Sequence, residues 1–189
     1  AVHISLRKAG EEGEDFRYRQ WREAWGKTFV WRSFLQIFML QGSVVFLISL
    51  PLLLVINQPG NELTWFDLIG TLIWLIGFAF EAVGDWQLLH FKANPVNQGR
   101  IIRSGLWRYT RHPNYFGEAA LWWGIFLIAL GSPQGAIGII SPILIGFLLL
   151  KVSGIPMLEA KYAGNPEFEN YKERTNGFLP WWPRERRGR

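Results

Sequence analysis

The chain has 189 residues, with 20 Lys and Arg against 15 Asp and Glu, and it contains no cysteine. This length fits one compact domain. The lack of cysteine excludes disulfides and thiolate metal sites, and three scattered histidines predict no zinc site or other metal centre. Hydrophobic residues make up 49% of the chain, a share that soluble proteins also reach. Their distribution therefore has to decide the class of protein.

Long uncharged runs predict an integral membrane protein. Residues 33–56 contain no charged side chain, and residues 119–150 contain none either. About 20 apolar residues cross the hydrocarbon core of a bilayer, whereas a soluble core needs no such run. We therefore predict an all-α fold, a polytopic membrane helical bundle with interfacial helices at both ends.

The runs and the turn-forming residues between them predict four crossings, at about residues 33–56, 64–90, 113–130 and 136–152. Breakers at 57–61 and 131–135 mark two short turns. Pro113 suits the first position of a helix. Near the C-terminus, Asn165 and Pro166 predict a helix start, and Gly177 predicts its end.

The positive charges predict the orientation and the domain organisation. All 20 Lys and Arg lie in residues 1–32, in residues 92–112 or beyond residue 150. The positive-inside rule makes that side cytoplasmic, together with both termini. We expect a cytoplasmic interfacial segment at 1–32, a transmembrane domain at 33–152 with a cofactor loop at 92–112, and a segment at 153–189 that completes the site. The start Ala-Val-His, without Met, predicts a fragment or a processed chain.

Two acids stand within the second predicted crossing. Glu81 and Asp85 are four residues apart and share one helix face, near Trp74 and Leu88. A carboxylate at membrane depth costs on the order of 2.5–3.5 kcal/mol on insertion scales. Either both acids lie close enough to the surface to be hydrated or to pair with Lys92, or they line a polar cavity.

The connection before the third crossing is rich in cations. Four arginines and a histidine precede the predicted helix start: Arg100, Arg103, Arg108, Arg111 and His112. Unpaired N–H groups and the helix dipole favour an anion there, and phosphate is the usual one. Asn114 and Glu118 share a face one turn apart. Alternatively, the arginines bind lipid headgroups, and Glu118 is a first-turn acid.

The segment Gly105-Leu-Trp-Arg-Tyr-Thr-Arg-His-Pro-Asn-Tyr-Phe-Gly-Glu118 resembles the signature of the steroid 5-alpha-reductase-like membrane proteins. These include many bacterial relatives of unassigned substrate, and sterol C14- and C24-reductases share a similar block. Further similar segments lie at 14–18, 91–95, 153–159 and 174–180. The resemblance implies a membrane reductase that takes NADPH from the cytoplasmic side and reduces an activated carbon–carbon double bond in a lipid. A bacterial inner membrane or its equivalent is the implied location.

The resemblance also implies functional residues. The cofactor contacts carried over, together with Arg100 from the charge argument, are Lys92, Arg100, Arg103, Trp107, Arg111, His112, Asn114, Tyr115, Glu118, Glu159 and Tyr171. The candidates for the catalytic end are Tyr115, Glu118, Glu81 and Asp85. The acid that donates the proton stays open, because the family's substrate-end acid and tyrosine lie partly in N-terminal helices absent from this chain.

Two other functions stay open. Isoprenylcysteine carboxyl methyltransferases also carry an Arg-His-Pro-x-Tyr block and bind S-adenosylmethionine, but they typically add a Glu-Glu pair where this chain has only Glu159. A non-catalytic lipid-binding membrane protein would also have a basic face. The expected partners are the membrane and a lipid-like small molecule, without nucleic acid, and the sequence does not determine the oligomeric state.

The predicted topology can be tested by labelling, because the chain has no cysteine of its own. Single substitutions Asn61→Cys and Gln134→Cys place thiols in the two short turns that lack positive charge. Both thiols should react with a membrane-impermeant reagent added to intact cells. Reaction of both only after permeabilisation would contradict the four-crossing topology or its orientation.

Overall fold

The computed structural model describes residues 16–57 and 62–184, and these residues form helices without any β-strand. The α-helices are α1 (Phe16–Trp25), α2 (Phe29–Arg32), α3 (Leu40–Ile56), α4 (Trp65–Ala93), α5 (Pro113–Ala129), α6 (Ile140–Phe147), α7 (Ile155–Ala160) and α8 (Pro166–Arg174). Between them lie π-helical turns at Ser33–Met39 and Leu148–Val152, and 3-10 turns at Gly26–Thr28, Pro95–Asn97, Gly105–Arg108 and Gly135–Ile139. The predicted all-α class is confirmed.

Three helical stretches of the described chain are long and apolar enough to cross a membrane: Arg19–Ile56, Trp65–Ala93 and Gly135–Ala160. They confirm the prediction of an integral membrane protein. The remaining predicted crossing corresponds to α5, which has 17 residues. At 1.5 Å per residue it reaches about 25 Å, short of a hydrocarbon core of about 30 Å. The number of crossings and their orientation therefore stay predictions.

The chain divides into two compact units, residues 1–46 and residues 47–189. In the first unit, aromatic side chains pack along the helices: Trp21 stacks on Trp25 at 5.6 Å, and Trp25 lies 6.2 Å from Phe29. Trp31 is 72% exposed. Residues 1–15 of the predicted interfacial segment lie outside the described part, and its interfacial role stays a prediction.

Local sequence signals explain where the helices of the second unit begin. Thr64 and Asp67 form a reciprocal capping box at the start of α4, in which the Asp67 carboxylate accepts the Thr64 N–H at 2.7 Å. α5 begins at Pro113, as predicted. The Asn165 side chain caps α8 by accepting the N–H groups of two first-turn residues, also as predicted. α8 ends at Arg174, earlier than the stop predicted at Gly177.

α4 and α5 pack antiparallel along a seam of glycines. Gly70, Gly77 and Gly84 are seven residues apart, about two helical turns, so they lie on one face of α4. A Cβ at Gly70 would lie 2.6 Å from the Gly124 carbonyl oxygen, and a Cβ at Gly77 would lie 2.7 Å from that of Gly117. The seam has no room for larger side chains, and the two backbones approach each other directly.

We expect Gly77→Ala to destabilise the protein, because the added methyl group must push apart two backbones rather than a flexible side chain. Overpacking of this kind costs about 1–3 kcal/mol. The matched control is Gly146→Ala in α6, where a Cβ meets nothing within 4 Å and alanine is the better helix former. Thermal unfolding in mild detergent should show a lower midpoint for Gly77→Ala only. Equal midpoints would contradict the seam.

Candidate functional site

The connection between α4 and α5 is hydrogen-bonded to the last turns of α4. The Gln87 side chain accepts the Leu106 N–H at 3.0 Å, and the Trp107 indole N–H donates to the Gly84 carbonyl oxygen at 3.1 Å. The Asn97 amide donates to the Phe91 carbonyl oxygen at 2.9 Å. These bonds fix the connection on α4, although nothing in the local sequence signals the role of Gln87.

The C-terminal segment packs on the other side of the connection. The Tyr171 hydroxyl donates to the Trp107 carbonyl oxygen, and the Thr110 hydroxyl donates to that of Phe178 at 2.8 Å. The Trp181 N–H donates to the Tyr109 carbonyl oxygen at 3.0 Å. Burial raises the pKa of Tyr171, so its hydroxyl stays protonated and can donate at neutral pH.

Between the end of α4, the connection, α7 and α8 lies a cavity of about 610 Å³, which we call the main cavity. Its volume lies in the range of about 300–1,000 Å³ that small-molecule and cofactor sites occupy. Seven of the eleven predicted cofactor residues line it: Lys92, Arg100, Trp107, Arg111, His112, Glu159 and Tyr171. Apolar and aromatic side chains complete the wall, among them Leu88, Phe91, Ile102, Leu158, Tyr162 and Phe168.

Sequence reasoning missed the aromatic side of this wall. Tyr162 and Phe168 stack on each other at 5.0 Å and both line the main cavity. Phe168 and Tyr171 are the buried residues of α8, three residues apart on one face. The three-residue spacing of Phe168 and Tyr171 could have been recognised in the sequence. The stacking of Tyr162 on Phe168 across a turn could not.

Two cations of the main cavity are uncompensated. Lys92 and Arg100 are exposed, and neither side chain has a hydrogen-bond or ion-pair partner within the described residues. Arg111 differs, because its Nε and Nη2 atoms both lie 2.9 Å from Glu159 Oε1, and its Nη1 donates to the Thr175 carbonyl oxygen. Arg111, the predicted phosphate ligand, thus joins the start of α5 to α7 and to the end of α8.

His112 shares the same carboxylate. Its Nε2 lies 3.0 Å from Glu159 Oε1, and its ring stacks on Tyr115 at 5.3 Å. Burial lowers the pKa of His112, against a smaller opposing effect of Glu159. The neutral ring donates from Nε2 to Glu159, which leaves Nδ1 as an acceptor. Nδ1 is buried without a hydrogen-bond partner among the described residues.

The four predicted catalytic residues come together beside the glycine seam, outside the lining of the main cavity. The carboxyl groups of Glu81, Asp85 and Glu118 interact electrostatically with one another, and Tyr115 interacts with Asp85 and Glu118. We call these four residues and Asn114 the acid cluster. The Asn114 amide donates to Asp85 Oδ1 at 3.1 Å, and Asn114 Oδ1 is buried without a described partner. The stacked His112 and Tyr115 rings connect the acid cluster to the main cavity.

Pro113 and Asn114, the first two residues of α5, do not line the main cavity, whereas the N-cap residue His112 does. Both residues pack against the glycine face of α4, where a Cβ at Gly84 would lie 3.3 Å from the Asn114 nitrogen. Arg103 does not line the main cavity either, and its side chain forms an ion pair with Glu167. It lines a second cavity of about 250 Å³ together with Arg108, Tyr171, Arg174, Thr175 and Pro183.

A family model described as "Protein of unknown function (DUF1295)" matches residues 1–175 of the chain. The chain belongs to this family. Two relatives, both named "3-oxo-5-alpha-steroid 4-dehydrogenase 1", come from Mus musculus and Rattus norvegicus. Each is 34% identical over 70 residues, which cover 37% of this chain and only 27% of the relative. No solved structure matches the chain. These matches confirm the resemblance to the steroid 5-alpha-reductase-like proteins.

His112 predicts a pH dependence of stability for this DUF1295 protein. Its pKa in the folded chain lies below the ordinary value of 6.5, so the unfolded chain binds a proton more readily. Stability should be complete above about pH 6.5 and should fall as the pH drops toward the folded pKa. Unfolding midpoints at about pH 7.5 and pH 5.5 measure this loss. His112→Gln should lose less, and an equal loss in both proteins would contradict the assignment.

Proposed function

We propose that this protein is a membrane-embedded, NADPH-dependent reductase of a carbon–carbon double bond in a lipid or steroid-like substrate. The main cavity, with its two uncompensated cations and aromatic wall, carries the proposal. The acid cluster lies next to it, across the stacked His112 and Tyr115 rings. The matched relatives are named as steroid dehydrogenases, which supports an oxidoreductase.

The residues of the main cavity fit NADPH. Its pyrophosphate and 2′-phosphate need cations, and Lys92 and Arg100 would hold them through charge-assisted hydrogen bonds. Its two flat ring systems need apolar surfaces, which Trp107, Tyr162 and Phe168 provide. NADPH supplies a hydride when it is bound.

The main cavity favours NADPH over S-adenosylmethionine. S-adenosylmethionine carries a sulfonium cation, which Lys92 and Arg100 would repel. Glu159 is the one carboxylate in the lining of this cavity within the described chain, but it is already paired with Arg111 and His112. Its negative charge is therefore compensated and cannot balance a further cation.

The acid cluster would serve the substrate end of the reaction. Reduction of a double bond needs a proton as well as a hydride, and enzymes deliver it from a positioned acid. Three carboxyl groups and the Tyr115 phenol stand close together there, and the bond from Asn114 holds Asp85 in place. A lipid would reach this cluster from the bilayer, past the exposed apolar side chains of α4 such as Phe78 and Val83.

The cofactor is tested by titrating the purified full chain in detergent with NADPH, NADH and S-adenosylmethionine. NADPH should bind most tightly. Arg100→Ala should weaken NADPH binding about ten- to a hundredfold, because a charge-assisted hydrogen bond contributes about 1.5–3 kcal/mol and 1.4 kcal/mol corresponds to a factor of ten. The matched control, Arg108→Ala, removes the same charge from the second cavity and should leave NADPH binding unchanged.

Three results would count against this proposal. Binding of S-adenosylmethionine without NADPH would favour the methyltransferase alternative. Binding of neither compound would favour a non-catalytic lipid-binding protein. Equal weakening by Arg100→Ala and Arg108→Ala would show that NADPH responds to net charge rather than to a contact in the main cavity.

A further inference from the structure

The second cavity has an unusual concentration of positive charge. Three of its six lining residues are arginines, Arg103, Arg108 and Arg174, and none of the six is acidic. Arg103 is paired with Glu167. The guanidinium groups of Arg108 and Arg174 have no hydrogen-bond or ion-pair partner in the part of the chain that the structure describes. Two like charges that share so small a space favour a bound anion.

Backbone contacts hold these two arginines in place. Arg108 ends the 3-10 turn Gly105–Arg108, and Arg174 is the last residue of α8. The buried Thr175 hydroxyl lies 3.5 Å from the Arg108 carbonyl oxygen, and the Arg184 N–H donates to that of Arg174 at 2.9 Å. Both arginines therefore project from fixed positions rather than from a loose tail.

The chemistry of the second cavity suits a single phosphate group. Guanidinium groups bind phosphate oxygens bidentately, which makes arginine the usual ligand for planar, paired contacts. The volume of about 250 Å³ lies below the range of sites that hold a cofactor-sized molecule. A headgroup phosphate needs far less enclosure, because the rest of its molecule stays outside.

The segment next to the second cavity identifies the source of the phosphate. Leu179, Trp181 and Trp182 are 63%, 69% and 70% exposed, directly before Pro183, which lines the cavity. The Trp182 ring lies 5.4 Å from Tyr109, so the exposed side chains sit on an ordered support. Tryptophan at the surface of a membrane protein is typical of the headgroup region, and arginines there attract anionic lipids.

We propose that the second cavity binds the phosphate of an anionic phospholipid, while Leu179, Trp181 and Trp182 lie among the headgroups. The lipid would hold the C-terminal segment on the membrane surface. Its two unpaired arginines are separate from the proposed cofactor contacts, because neither Arg108 nor Arg174 lines the main cavity, and the two cavities share only Tyr171. The two proposals can therefore fail independently.

The test is native mass spectrometry of the detergent-purified full chain with added phosphatidylglycerol or phosphatidylcholine. The wild-type chain should retain phosphatidylglycerol in preference. Arg108→Ala/Arg174→Ala should reduce retention of phosphatidylglycerol at least tenfold, without affecting NADPH binding measured in lipid-free detergent. The matched control, Lys161→Ala/Lys172→Ala, removes the same charge from the C-terminal segment but touches neither cavity, and it should retain the lipid. Arg108→Lys/Arg174→Lys keeps the charge but loses the bidentate contact, so an intermediate retention is expected.

Several results would overturn the proposal. Equal retention of phosphatidylglycerol by both alanine variants would show general charge attraction. Inorganic phosphate that binds as tightly as the lipid would make the ligand a free anion. Should the double alanine variant unfold early, the folded lysine variant decides, because undiminished retention there would exclude a bidentate phosphate contact.

Discussion

The close approach of α4 and α5 is the constraint on which the rest of the site depends. Glycines at seven-residue intervals on α4 let the two backbones meet. This contact determines which residues of α5 lie beside the polar groups of α4. A Cβ at Gly117 would lie 2.5 Å from the Glu81 nitrogen, so the backbone of Glu81 reaches α5 only because Gly117 has no side chain. The same seam leaves the Gly84 carbonyl oxygen free to accept the Trp107 indole, which anchors the connection. Packing along this seam brings the helices of the acid cluster together, and the hydrogen bond from Asn114 to Asp85 adds to it.

A second level of organisation is electrostatic. Glu159 receives both Arg111 and His112, and through them it ties α7 to the start of α5 and to the end of α8. Each charge in this group has its partner, so the group holds the walls of the main cavity together without attracting a ligand. The side chains of Lys92 and Arg100 lack such partners within the described chain, so they remain available to an anion. The sequence shows where the cations are, but only the folded chain shows which of them are paired inside the protein and which are left unpaired.

The fold was largely predictable, because its signals are local. Uncharged runs, a capping asparagine at 165 and a proline at 113 each act within a few residues, and the spacing of Glu81 and Asp85 alone placed them on one face. The partners of the arginines were not predictable, since Arg111 meets a carboxylate 48 residues away and Arg103 meets one 64 residues away. The sequence therefore suggested a single arginine-rich phosphate site. In the folded chain, the cations of the connection line two cavities, and two of them, Arg103 and Arg111, form ion pairs.

Tyr171 lies in the lining of both cavities, while its hydroxyl is bonded to the Trp107 carbonyl oxygen. One aromatic ring is therefore the partition between a space suited to a cofactor and a space suited to a headgroup. Any displacement of this ring by an occupant of one space changes the shape of the other. Thermodynamic linkage makes such an effect reciprocal. If one ligand changes the affinity for a second ligand by some factor, the second ligand changes the affinity for the first by the same factor. If the main cavity holds a cofactor and the second cavity a lipid phosphate, as proposed above, the composition of the bilayer would become an effector of cofactor affinity.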